Sequence, residues 1–179
     1  MWPLLILIAL VVIVFFIYNS LVALRVRADA AWSDIDVQLK RRYDLIPNLV
    51  DTVKGYASHE RGTLEAVIDA RSRAMNATGP AAKAEAEGML TGALKSLFAL
   101  AENYPQLRAA ENFGQLQSML AEIEDAIQAA RRYYNAVVRD LNTRIQQFPS
   151  NLVAGAFGFR NREFFEIPDA DREVPKVSF

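Results

Sequence analysis

The chain has no cysteine and a single histidine, which excludes disulfide frameworks, thiolate metal sites and any catalytic or metal constellation that needs two imidazoles. Glycine and proline are scarce, eight and seven among 179 residues, too few for a fold of many short strands and turns. Neither charge sign is in excess, and a formal net charge of −1 gives no global pull toward nucleic acid. What remains is a chain with 52% apolar residues, rich in Ala, Leu, Glu, Arg and Gln. These are strong helix formers, so the composition predicts an all-α fold built around one core.

The longest stretch without charge is the 23 residues from Trp2 to Leu24. As a helix it would be about 35 Å long, enough to cross a bilayer core. A cleaved secretory signal fits less well, because no basic region precedes the apolar run and the run is too long. Trp2 and Tyr18 stand near its ends, where amphipathic rings favour the headgroup level, and Arg25 and Arg27 close it. Trp2, Phe15, Phe16, Tyr18, Leu24, Arg25 and Arg27 are therefore read as membrane-spanning or interfacial. The basic residues predict a single-pass topology with the short N-terminus outside and the remainder in the cytoplasm.

Beyond the anchor, apolar or small residues recur every three or four positions. Ala28, Trp32, Ile35, Leu39, Tyr43, Ile46, Leu49 or Val50, Val53 and Ala57 form one helical stripe. Pro47 lies inside it and the stripe keeps its phase on both sides, so a bent but continuing helix is expected. Asp36, Lys40 and Asp44 mark the opposite, solvated face. At Gly55-Tyr56-Ala57-Ser58 two readings stand: a turn with Ser58 as N-cap, or a helix running on to about Ala77. Thr78-Gly79-Pro80 is a clear break, after which Ala82, Ala86, Met89 or Leu90, Ala93, Leu97, Leu100 and Tyr104 outline a further helix ending before Pro105.

The most regular segment runs from Ala110 to Phe148, with Phe113, Leu116, Leu120, Ile123, Ile127, Ala130, Tyr134, Val137, Leu141, Ile145 and Phe148 in alternating steps of three and four. Its length, about 58 Å as a helix, predicts an elongated antiparallel bundle of three or four long helices, with an intermolecular coiled coil as the less favoured use of the seam. The expected organisation is a transmembrane anchor over 1–27, a helical bundle over 28–148 and an aromatic tail over 149–179.

Six of the ten phenylalanines lie from Phe148 onward, so the tail is not of disordered composition. Its rings must cover the bundle, a neighbouring subunit or a bilayer surface, and a turn at Gly55–Ser58 would bring them back toward the anchor. Phe157, Phe159, Arg160, Arg162, Phe164 and Phe165 are the candidate oligomer or lipid contacts. Val177 and Phe179 make a hydrophobic C-terminus of the kind that strand-addition modules capture.

No catalytic constellation emerges. His59 beside Glu60 reads as a capping or surface residue, and Gly155-Ala156-Phe157-Gly158-Phe159 lacks the preceding strand and following Lys-Ser or Lys-Thr of a phosphate loop. The sequence predicts no enzyme, no cofactor and no metal. The expected partners are a lipid bilayer, further copies of the chain and a possible membrane protein such as a protease or signalling protein; nucleic acid is not expected.

Tyr18-Asn19-Ser20-Leu21-Val22-Ala23-Leu24-Arg25 and the long run from Ala31 through Trp32-Ser33-Asp34-Ile35 to Pro47-Asn48-Leu49-Val50 resemble the LemA family. The likeness continues through Ala101-Glu102-Asn103-Tyr104-Pro105, Glu111-Asn112-Phe113, Ala130-Arg131-Arg132-Tyr133-Tyr134-Asn135 and Phe148-Pro149-Ser150-Asn151. At Arg108-Ala109-Ala110 the chain departs from the family's usual Lys-Ala-Asn. The resemblance implies a single-pass inner-membrane protein of bacteria, N-terminus outside, with a cytoplasmic antiparallel helical bundle and no established enzymatic activity. A family relative in magnetosome-forming bacteria is associated with membrane invagination, which implies that members organise or bend membranes. It names no catalytic residue.

Overall fold

The computed structural model describes residues 1–166. The described residues form six helices and no strand: α1 (Trp2–Tyr56), α2 (Arg61–Asn76), α3 (Pro80–Ala101), α4 (Pro105–Arg108), α5 (Glu111–Gln146) and α6 (Ser150–Ala156). The all-helical class is the one the composition predicts. In α1 the predicted stripe is the buried one: Ala28, Ile35, Leu39, Tyr43, Ile46, Leu49, Val50 and Val53 are enclosed, Trp32 is half-buried, and Ala57 is enclosed just past the helix end. The helix passes through Pro47 without ending, because neighbouring apolar contacts on both sides hold it.

Of the two readings at Gly55–Ser58, the break is the observed one, with the chain leaving α1 after Tyr56 and re-entering helix at Arg61, although Glu60 rather than the expected Ser58 stands at the N-cap. Ala57 N–H still reaches the Val53 carbonyl at 2.8 Å, and Glu60 N–H donates to the Ala57 carbonyl at 3.1 Å, so the turn stays tight. His59 is exposed in it. The next reversal relies on Gly79, whose φ of +82° suits glycine and few other residues, followed by Pro80 at the start of α3. Lys83 then donates to the Ala74 carbonyl at 3.1 Å, satisfying one of the orphan acceptors at the end of α2.

Two details differ from the periodicity. On the inward face of α3 the expected Ala86, Leu90 and Leu97 are buried, but Ala84, Glu87, Leu94 and Ala101 are buried where Ala82, Ala93 and Leu100 were expected, and Met89 is 46% exposed. Helix α5 stops at Gln146, which leaves Phe148 outside its seam and 80% exposed. The short helices α4 and α6 carry too few turns to show a period.

The chain divides into two compact units. The first holds Met1–Val37 and Ile127–Phe164, hence the front of α1, the back of α5, and α6. Within it α1 and α5 run antiparallel, since Ile145 packs with Ile17 and Leu21 while the Trp32 ring meets Tyr134 at 5.3 Å. The second holds Gln38–Ala126 and, among the described residues, Phe165 and Glu166. There α2 and α3 form a closely packed helical hairpin.

Candidate membrane interface

Every residue from Met1 to Phe16 is exposed, although nearly all are large and apolar; Trp2, Leu7, Phe15 and Phe16 expose 78%, 59%, 63% and 67% of their surface. A helix that is hydrophobic all round and uncovered by protein has the signature of a lipid-facing span. This is the described helix long and apolar enough to cross a membrane.

The uncovered stretch ends at Ile17, sooner than the charge-free run does. Ile17 and Leu21 are buried against Val153 and Ala154 of α6, with Ile145 and Phe159 packed around them. Small residues on the inner side of α6 permit this approach: Ala154 is 1% exposed. The reversal after α6 is a glycine-dependent cap. Gly158 has φ +73°, and Phe159 N–H donates back to the Ala154 carbonyl at 2.9 Å, which closes the helix and turns the Phe159 ring toward α1.

Two of the predicted interfacial residues, Tyr18 and Arg25, meet the aromatic tail here. Tyr18 meets Phe157 at 4.9 Å and Phe159 at 5.8 Å between ring centroids, and the Arg25 guanidinium lies 5.3 Å from the Phe159 ring. Both geometries fall within the range of favourable aromatic and cation–π pairing. Arg162 forms an ion pair with Asp29. The chain after α6 is then fixed to α5: Asn142 donates its side-chain amide to the Arg162 carbonyl at 2.9 Å and accepts from Arg162 N–H at 2.8 Å. Tyr134 donates to the Glu163 carbonyl at 3.0 Å, and burial pushes its phenol above the usual tyrosine range.

Among the predicted contacts, Phe157 is 57% exposed, Phe164 is 36% exposed and Arg160 is exposed, so these remain available to lipid or a second copy. Phe165 does not, because it is fully buried. Its place in the contact set is withdrawn; it is a core residue of the second unit. Phe159 and Arg162 are partly covered by the pairings just described. Val177 and Phe179 lie outside the described residues.

The second unit holds a cluster that the sequence reading missed. Arg42, next to Lys40 of the predicted solvated face in sequence, is 5% exposed. Its guanidinium meets Glu87 at 3.2 Å, Glu124 at 3.1 Å and the Thr91 hydroxyl at 2.9 Å. Tyr43 donates a short hydrogen bond to Glu87, and the Lys83 ammonium lies 5.8 Å from the Tyr43 ring. Burial raises the Glu87 carboxyl above the usual range, with Tyr43, Arg42 and Lys83 pulling it back down. The one signal available in sequence was phase: Arg42 adjoins the buried stripe at Tyr43, and Glu87 stands within the alanine-rich inner face of α3. The cluster's chemistry is that of an enclosed, internally satisfied ion pair.

The magnetosome proteins MamQ 1 and MamQ 2 of Paramagnetospirillum magneticum and MamQ of Magnetospirillum gryphiswaldense are each 27% identical to the chain, over 88% of it and 68% of their own length. Protein LemA of Metamycoplasma hominis is 29% identical over 89% of the chain and 75% of its own. The LemA family profile matches residues 31–179, taking in everything past the start of the apolar stripe of α1. The chain belongs to the LemA family.

Proposed function

We propose that this chain is a non-enzymatic, single-pass scaffold that self-associates to organise or remodel the bacterial inner membrane. Its N-terminus lies outside and its helices past Arg25 lie in the cytoplasm. The observation that carries the reading is the uncovered apolar front of α1, from Trp2 to Phe16, continuing without a break into a helix with a buried stripe. Each large apolar side chain moved from water into lipid contributes about 1.5–3 kcal/mol, so this stretch favours a bilayer strongly. Arg25 and Arg27 at its inner end support the orientation.

Confinement to one plane raises the effective concentration of copies, so weak lateral contacts between molecules accumulate. The exposed Phe157 and Phe164 supply surface for such contacts. The similarity to the magnetosome proteins MamQ supports the same reading. This reading calls for lipid and further copies as partners and for no cofactor. Negative-stain imaging and size-exclusion chromatography of the detergent-solubilised full chain test it: assemblies that grow with concentration are expected, and monomers alone at high concentration would overturn it.

A further inference from the structure

We infer that α6 and its flanks form a second membrane-inserted element, a half-span that lies among the acyl chains of the leaflet on the Arg25 side. The inference rests on the proposed reading that Trp2–Leu24 crosses a bilayer. Three observations carry it. First, the fifteen residues from Ile145 to Phe159 carry no charge and lie between Arg144 and Arg160. An uncharged stretch this short cannot cross a membrane, and it suits a re-entrant or interfacial element.

Second, the large side chains that α6 and its flanks leave uncovered are apolar, although Asn151 is exposed among them. Phe148, Leu152 and Phe157 expose 80%, 64% and 57% of their surface, while its small inner residues pack on α1. Third, its position along α1 sets its depth. It packs on Leu21 and Ile17, four and eight residues before Arg25, or about 6 and 12 Å along the helix axis. One leaflet's hydrocarbon is about 15 Å deep, so α6 falls within it when Arg25 stands at the headgroups. The charges agree: Arg25, Arg27 and Asp29 on α1 and Arg162 on the returning chain gather at one level, with Arg162 bonded to Asp29.

The absence of native cysteine makes the test direct. Single cysteines are introduced into the full chain at Leu152→Cys, Phe157→Cys and Phe148→Cys, with Ile6→Cys as the span reference and Glu122→Cys as the aqueous reference. Each variant is labelled with an environment-sensitive fluorophore and reconstituted into vesicles of mixed zwitterionic and anionic phospholipid. The quenchers are nitroxide on the lipid acyl chain and aqueous iodide. The expected result is a loss of emission to the acyl-chain quencher at Leu152→Cys and Phe157→Cys comparable to that at Ile6→Cys, with iodide acting only at Glu122→Cys.

Quenching of the α6 sites by iodide, with Ile6→Cys still quenched by lipid, would overturn the half-span and leave the anchor standing. Protection of those sites from both quenchers would also overturn it, because a second copy rather than lipid would then cover them. Failure of the acyl-chain quencher at Ile6→Cys would overturn the anchor reading and the half-span with it.

Discussion

Arg42 and Glu87 stand 45 positions apart in the chain and meet at 3.2 Å in the interior of the second unit, with the Glu87 side chain fully enclosed. Such a pair adds little net stability compared with apolar residues of the same shape, yet removing one partner strands a buried charge. Glu87→Ala is therefore expected to cost about 3–5 kcal/mol. Arg42→Ala should cost a similar amount, and the double variant clearly less than the sum of the two. Thermal and urea unfolding of the full chain in detergent, followed by helical circular dichroism, checks this.

The Glu87 carboxyl also makes stability depend on pH with a definite sign. Burial raises its folded-state pKa above the ordinary 4.5, so in the window above that value the folded chain holds a proton that the unfolded chain has released. Stability from this group is fully present below 4.5 and declines as pH rises through the elevated folded value. Glu87→Gln removes the slope, so wild-type stability should fall relative to the variant as pH rises through that window. Parallel melting curves at a series of pH values read the difference.

The return segment gives a prediction about ranking. Asn142 makes two hydrogen bonds to the Arg162 backbone, whereas the Asp29–Arg162 pair is largely at the surface. Asn142→Ala leaves two backbone groups unpaired and should cost about 1–3 kcal/mol, while Asp29→Ala should cost about 0–1 kcal/mol. Trypsin cleavage after Arg160 and Arg162 should accelerate more in the first variant than in the second.

Ala154 tests the seat of α6 on α1. It is 1% exposed and packed with Ile17 and Leu21, so Ala154→Leu inserts volume where none is free. Overpacking of this kind costs about 1–3 kcal/mol. The expected outcome is faster hydrogen exchange at 150–159 with the helical content of the rest unchanged; Ala154→Gly, which adds no volume, should show much less of it.

Much of this architecture was legible in the sequence because it repeats. The stripe from Ala28 to Ala57 named the buried face of α1 almost residue for residue, and Pro80 marked the start of α3. The charge-free run located the apolar front of α1. What periodicity could not show was a residue whose partner lies far away in the chain. Arg42 and Glu87 look like surface charges until α1 and α3 bring them together. The same holds for α6: two helical turns show no period, and the role of Ala154 depends on Leu21 arriving beside it. Phe165 was misread for a related reason, since clustering with exposed aromatics in sequence says nothing of its own burial.

The packing of α6 against Ile17 and Leu21 thickens the apolar run at one end only, while its front from Trp2 to Phe16 stays a single bare helix. Placed in a bilayer, a body of that form displaces more area in one monolayer than in the other. On the proposed half-span reading, many copies entering in the same sense would add these imbalances and give the sheet a preferred sign of spontaneous curvature without any energy-consuming step.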